Sequence, residues 1–274
     1  SGQAIDEELA AACAIMWRAP YQTGSALRKQ INAGEVEYVD MHLSHVPQTV
    51  GFGFFGPIDL AVVEATEVTA DGRVYLTTSI GASPTYLSCA RKVIVEVNRR
   101  QSPRLREIAD IFVMPPPPHR NAIPVFHPLT RIGWPYAAVD PHKVVAVVET
   151  DEPDHVAPFA DPDEESRRIA GHVVEFLLGE MKAGRIPGEF LPLQAGVGNV
   201  ANAVLSALGE HPDIPPFYMY SEVFQNSMAD LMLAGKLKGA SATSLTITAD
   251  KLQHLVDHMD HFNRCLVLRP QEIS

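Results

Sequence analysis

Phe190-Leu-Pro-Leu-Gln-Ala-Gly-Val-Gly-Asn-Val-Ala-Asn-Ala-Val-Leu-Ser-Ala-Leu-Gly209 holds a short apolar run, a glycine turn and a run of small and aliphatic residues. The stretch reads as a strand from Phe190 to Gln194, a turn at Gly196-Val-Gly198 and a helix from Asn199 to Leu208 that Gly209 can end. Phe217-Tyr-Met-Tyr220 follows as a second strand signal, and Val223 to Leu233 returns to helical spacing before Gly235. Alternating strands and helices predict an α/β fold with a largely parallel sheet, because parallel neighbours need a crossover between them.

The same rhythm runs upstream. Asp59-Leu-Ala-Val-Val-Glu64 reads as a buried strand, Thr69 to Arg73 as a turn, Val74 to Thr77 as a strand and Ser83 to Arg91 as a helix. Lys92-Val-Ile-Val-Glu-Val97 and Lys143 to Val148 read as further buried strands. Met114-Pro-Pro-Pro-Pro118 cannot sit inside a helix or a central strand, since four prolines supply no N–H donors; it reads as a rigid connector. Asp161-Pro-Asp-Glu164 opens a helix, with an N-cap candidate at Asp161 and proline at the first helical position. Its apolar stripe is Ile169, Val173, Leu177 and Met181, with Val174 and Leu178 beside it, and Gly184 closes it. This helix is expected to join two Rossmann-like domains, 1–160 and 161–274, the second incomplete.

Composition narrows the function classes. The 274 residues suffice for one large or two smaller cores, and the 46% hydrophobic content is ordinary for a soluble protein. Val144 to Val148 and similar apolar runs are far too short to cross a bilayer. Residues 1–20 lack the order of a signal peptide, so a cytoplasmic protein is expected. Cys13, Cys89 and Cys265 are far apart with no Cys-x-x-Cys spacing, which predicts buried free thiols in a reduced compartment and argues against a cysteine zinc site. A net charge of −11 argues against a nucleic-acid partner, and any anionic substrate would need local donors such as helix N-termini.

Two neighbouring strand ends carry the chemistry. Ligands of open α/β sheets bind beyond the carboxyl ends of strands. One such end carries Gly196-Val197-Gly198, whose backbone N–H groups can face a developing oxyanion. The other carries Glu222, a carboxylate able to attack a carbonyl held there. Both residues also have plain readings, a tight turn with close helix packing and a solvated loop residue. Gly196 to Ala201 is a poor dinucleotide fingerprint, because Ala201 fills the third glycine position. His254, His258 and His261 share one face of an expected helix and read as a solvated face; Trp17 and Trp134 read as packing residues. His42 and His45, and Ser79-Ile-Gly81, read either as cleft residues or as ordinary loop and turn residues.

Leu193 to Val204, Tyr220-Ser-Glu-Val-Phe-Gln225 and Ala240-Ser-Ala-Thr-Ser244, taken together, resemble the core of the acetyl-CoA hydrolases and the acetate or succinate CoA-transferases. His42-Leu-Ser-His45, Gly56 to Ala61, Thr77 to Gly81, Lys92 to Asn98 and Pro158 to Asp163 are similar to segments of that family in the same order. The resemblance implies a CoA-transferase-like fold and a glutamate that attacks an acyl-CoA, passes through a mixed anhydride and carries CoA as a thioester until another carboxylate takes it. Glu222 matches that glutamate; Gly196, Val197, Gly198 and Asn199 match the oxyanion and CoA-binding turn; His45, Ser79, Gly81 and His155 match the substrate pocket. It also implies a homodimer, with coenzyme A as a substrate and with no metal and no resident cofactor. Asn226 stands where an aspartate is common and His155 where some members carry arginine. Family chains are longer at both ends. The alternatives are hydrolysis of the same intermediate and a non-catalytic CoA-binding fragment; a nicotinamide-dependent enzyme is a more distant one.

Overall fold

The computed structural model describes residues 3–22, 24–115, 118–154, 156 and 162–273. Two helices, α1 (Gln3–Ala11) and α2 (Ser25–Asn32), and a parallel pair, β1 (Trp17–Arg18) and β2 (Glu37–Tyr38), form a small layer around Ala10, Leu27 and Val36. After α3 (Val46–Gly51) come β3 (Leu60–Val68), β4 (Arg73–Leu76), α4 (Ser83–Cys89), β5 (Lys92–Asn98), β6 (Ala137–Ala138) and β7 (Val144–Thr150). These strands make one sheet in the order β6-β4-β3-β5-β7. Its β3, β5 and β7 are parallel, and β4 and β6 are antiparallel to their neighbours.

The second half adds α5 (Glu164–Lys182), α6 (Asn199–Glu210), β8 (Phe217–Tyr220), β9 (Val223–Gln225), α7 (Asn226–Leu233), β10 (Leu237–Ala242), β11 (Ser244–Thr246), α8 (Ala249–Asp257), α9 (Met259–Phe262) and β12 (Leu266–Leu268). Strands β12, β10 and β8 form a parallel sheet in that order, and β11 pairs in parallel with β9. The α/β architecture with mostly parallel pairing is therefore as expected. One apolar core runs from Val63, Leu87 and Val95 to Phe217, Ala240 and Leu266. Each fully buried valine, leucine or phenylalanine side chain of this core contributes about 1.5–3 kcal/mol.

Several local expectations change. Phe190 to Gln194 is not a strand: Phe190 has φ 65°, Pro192 has no N–H, and only Leu193 bridges to Met219 of β8. Gly209 does not end α6, which runs on to Glu210. A Cβ on Gly209 would lie 2.3 Å from Leu231 Cδ2, so this glycine serves the close approach of α6 to α7. Val223 to Gln225 is strand rather than helix, held by pairing with β11. The cap of α5 is Asp163, whose carboxylate accepts from Ser166 N at 2.7 Å, two residues later than expected. Ile169 is exposed; the buried face is centred on Ser166, Ala170 and Val174.

Of the strands expected to be buried, β3 and β5 are buried on one face only, and β7 has half-buried and exposed residues but no buried one. Ala61, Val63, Val93 and Val95 face the core, while Leu60, Val62, Val145, Val147 and Val148 are exposed, because no described layer covers the outer face or the β7 edge. Trp134 is 66% exposed and stacks on Tyr136, and Trp17 is 41% exposed against Phe55, so neither is a core residue. Cys13 and Cys89 are exposed and only Cys265 is buried. The expected one-face histidine helix breaks at His258, where φ is −108° and ψ is 29°, between α8 and α9. Pro116, Pro117 and the expected domain boundary near residue 160 lie outside the described residues. Among the described residues no helix is long and apolar enough to cross a membrane.

Candidate active site

The carboxyl ends of β8 and β10 kink side by side. Strand β8 ends at Tyr220, resumes as β9 at Val223, and leaves Ser221 and Glu222 at the corner. Strand β10 ends at Ala242, resumes as β11 at Ser244, and leaves Thr243 at its corner. The corners are pinned together by Ser221 N donating to Ser241 O at 2.9 Å and Thr243 N donating to Glu222 O at 2.8 Å. Ser221 is buried, and its hydroxyl lies 3.2 Å from both Ala195 O and Val223 O. The kink turns the half-buried Glu222 side chain out of the strand pattern that would otherwise have placed it against a sheet face.

The glycine turn is held against this corner. Leu193 N donates to Tyr218 O and Tyr220 N donates to Leu193 O, both at 2.9 Å. Gln225, fully buried, donates its amide to Gly196 O at 3.0 Å. Gly198 caps α6 with φ 139° and ψ 172°, a conformation open in practice to glycine alone. The first amides of α6, from Asn199 onward, have no acceptor within the helix and carry the positive end of its dipole. A donor-rich turn thus stands beside a carboxylate at the neighbouring strand end.

Two segments close the site. The turn after β4 docks on the β10 corner: Leu245 N donates to Thr78 O at 2.7 Å, Ile80 N to Thr243 O at 2.9 Å and Gly81 N to Thr243 Oγ1 at 3.1 Å. After β12, Arg269 N donates to Ala242 O at 2.8 Å and Gln271 N to Gly81 O at 3.0 Å. The Gln271 amide then reaches Glu222 and donates to Oε1 at 3.3 Å. Ser79 and Gly81 are therefore brought to the Glu222 corner, Ser79 through a bridge to Ser244. His45 sits on the turn before α3, its ring edge-on to His42, and takes no part in these bonds. His155 lies outside the described residues. Asn226, at the start of α7, accepts from Thr248 N at 3.0 Å and so fixes the start of α8.

Sequence reading missed Gln225, Thr243 and Gln271 as site residues. Gln225 and Thr243 stand inside the motifs quoted for the family resemblance, so their position was a signal. Nothing local marks Gln271; only the tertiary docking of the turn after β12 brings it to Glu222.

Behind the Thr77–Gly81 turn lies a polar cluster without a described cation. Glu64 accepts from Thr77 at 2.8 Å and Asn98 at 2.6 Å; Asp154 accepts from Thr78 at 2.8 Å and Gln101 at 2.9 Å. Burial pushes the Glu64 carboxyl above the ordinary 4.5, its two hydrogen bonds oppose the shift, and the Asp154 and Glu96 charges add to it. A raised folded-state value means that the unfolded chain loses this proton first as pH rises. Glu64 therefore costs stability as pH climbs from about 4.5 through its raised value. Glu64→Gln keeps an acceptor for Asn98 and can donate to Thr77. Urea unfolding from pH 4.5 to 8 should find the variant at least as stable as the parent at neutral pH, with a smaller decline over that range.

The family model of the acetyl-CoA hydrolase/transferase N-terminal domain matches residues 1–149. The propanoyl-CoA:succinate CoA transferase of Escherichia coli (strain K12) is 55% identical over 271 residues, covering 99% of this chain and 55% of that protein. The succinyl-CoA:acetate CoA-transferase of Clostridium kluyveri is 39% identical, covering 100% of this chain and 51% of that protein. The chain thus spans about half the length of these curated relatives. RipA from Yersinia pestis shares the fold with a TM-score of 0.59 at 20% identity, over 90% of this chain and 48% of that one. With a family model covering more than half of its residues, the chain belongs to the acetyl-CoA hydrolase/transferase family.

Proposed function

We propose that the whole protein transfers CoA between small carboxylic acids through a thioester on Glu222. The observation that carries this reading is the placement of Glu222: a carboxylate on a strand corner, pinned beside the donor-rich start of α6. One Glu222 oxygen attacks the acyl-CoA carbonyl, which forms a C–O bond and expels CoA as its thiolate. The thiolate attacks the glutamyl carbonyl, forms the C–S bond and releases the first acid with the oxygen that Glu222 supplied. A second carboxylate reverses these steps and leaves as the new acyl-CoA, with no net proton taken up. Amides at Gly196, Val197, Gly198 and Asn199 would hold the developing oxyanion, and Ser79 and Gly81 would border the acid; His45 and His155 complete the proposed pocket. CoA is a substrate here, and the steps call on no metal or resident cofactor.

The names of the relatives, with propanoyl-CoA, succinate and acetate among them, support small aliphatic acids as donor and acceptor. The reading includes two Rossmann-like units meeting near residue 160, assembled as a cytoplasmic homodimer. The family description also names hydrolysis, in which water resolves the same thioester. Transfer and hydrolysis separate on the acceptor. With propanoyl-CoA as donor, addition of succinate or acetate should yield the matching new acyl-CoA by ping-pong kinetics, with little free CoA when acid is omitted. Release of free CoA at the same rate without any acid would assign hydrolysis instead.

A further inference from the structure

Glu222, Thr243, Gly81 and Gln271 form a closed ring of hydrogen bonds. Thr243 N donates to Glu222 O at 2.8 Å, Gly81 N donates to Thr243 Oγ1 at 3.1 Å, Gln271 N donates to Gly81 O at 3.0 Å, and Gln271 Nε2 returns to Glu222 Oε1 at 3.3 Å. Its members come from four separate segments: the β8–β9 corner, the β10–β11 corner, the turn after β4 and the turn after β12. Two of the four links are backbone to backbone, a third rests on the Thr243 hydroxyl, and the last joins the Gln271 and Glu222 side chains. That last bond is the one made to the reacting carboxylate.

Among the described residues, Glu222 has no ion-pair partner within 4 Å, and the Gln271 amide is the donor on its carboxylate. Arginine or lysine in this place would bind the carboxylate about twice as strongly and hold its lone pairs back from attack. A neutral amide orients one oxygen and leaves the other free. The Gln271 backbone is fixed by its bond to Gly81 O and by the Pro270 bridge to Gly81, so only side-chain torsions place its amide on Glu222. The next residue, Glu272, is occupied elsewhere, with Arg120 at 3.2 Å.

We propose that Gln271 is a catalytic residue that holds one oxygen of Glu222 and presents the other to the acyl carbon. The inference rests on Glu222 being the nucleophile. It assigns to Gln271 a task in both half-reactions: the same N–H lies on the oxygen that stays bound to the glutamyl carbon while the bond to CoA forms or breaks. The negative charge that builds on that oxygen during either attack would strengthen the bond.

The test uses steady-state transfer by the whole protein carrying Gln271→Met, Gln271→Glu or Glu222→Ala, with unfolding midpoints measured alongside. Gln271→Met keeps the length and removes the donor; kcat should fall about 10- to 100-fold while KM for acyl-CoA moves less than about 3-fold. Gln271→Glu sets a second carboxylate against Glu222. The pair is repelled when both are ionised and bonded when they share a proton. Its activity relative to Gln271→Met should rise as pH falls from about 8 to about 5.5, because a protonated carboxyl regains the donor. A merely structural role would lower the unfolding midpoint without that pH signature. If Gln271→Met retains the parent's kcat, or if the two variants keep a constant ratio across pH, the assignment of Gln271 is overturned. Turnover surviving in Glu222→Ala would overturn the nucleophile itself, whereas a dead Glu222→Ala beside a fully active Gln271→Met would overturn only the role of Gln271.

Discussion

Replacing Glu222 with glutamine should lower kcat for CoA transfer on the order of 10^4-fold or more, the size of loss that follows removal of a covalent nucleophile. The change is nearly isosteric. The new side-chain carbonyl can still accept from Gln271, and the Thr243-to-Glu222 bond is made by the backbone and is untouched. What disappears is the negative charge and the lone-pair reactivity of the free oxygen. Because Glu222 is half-buried and has no described ion-pair partner, the unfolding free energy should move by about 0.5 kcal/mol or less. Loss of rate with an unchanged unfolding curve and a similar KM would place the defect in the chemical step. A variant keeping a tenth of the parent's kcat would remove Glu222 from the mechanism.

Replacing Arg269 with methionine should cost about 3–5 kcal/mol of stability, the largest loss expected for a single residue here. Among the described residues Arg269 is the largest fully buried side chain, at 0% exposure, and its guanidinium meets Asp110 at 2.6 Å. It also donates to Pro128 O at 2.8 Å and to Thr130 O. Asp110 in turn accepts from Ile132 N at 2.9 Å and Gly133 N at 2.6 Å. The pair thus ties the segment around residue 110 and the 128–133 loop to the end of β12, directly ahead of Gln271. Burial pulls the guanidinium below its ordinary value and the Asp110 charge opposes that pull. Methionine would fill much of the volume and leave Asp110 buried without its ion-pair partner, with only the nearby Arg131 charge acting on it. Asp110→Asn would remove the charge and keep acceptors for Ile132 and Gly133. The double variant should therefore recover part of the loss, and a double-mutant cycle in urea would read the coupling. Simple additivity of the two losses would contradict the pairing as the source of the stability.

The fold class was legible because its signals are local. Runs such as Lys92 to Val97 and Phe217 to Tyr220 are strands wherever they lie, and Gly184 and Gly235 sit at positive φ just past the ends of α5 and α7. Burial was less legible. Val145 and Val147 have the composition of a doubly buried strand, yet exposure depends on which layers cover the sheet, and composition carries no record of that. Gly209 illustrates the same limit: glycine signals a helix end and also a close helix contact, and only the position of Leu231 separates the two. Within the candidate site, Glu222 was placed by the end of β8 and by family likeness, and the glycine turn by the start of α6 and the same likeness, since the strand expected before it does not form. Thr243 and Gln271 enter through hydrogen bonds between residues far apart in the chain, where no periodicity exists to find them.

The most direct test of the central claim is a chemical trap on the whole protein. Incubation with acyl-CoA followed by borohydride would reduce a glutamyl thioester to an alcohol, and mass spectrometry would read the peptide that contains Tyr220 to Gln225. The account predicts a lighter peptide, by the difference between a carboxyl and a hydroxymethyl group at Glu222, with no such product in Glu222→Ala. An unshifted peptide under conditions of active turnover would contradict covalent transfer through Glu222.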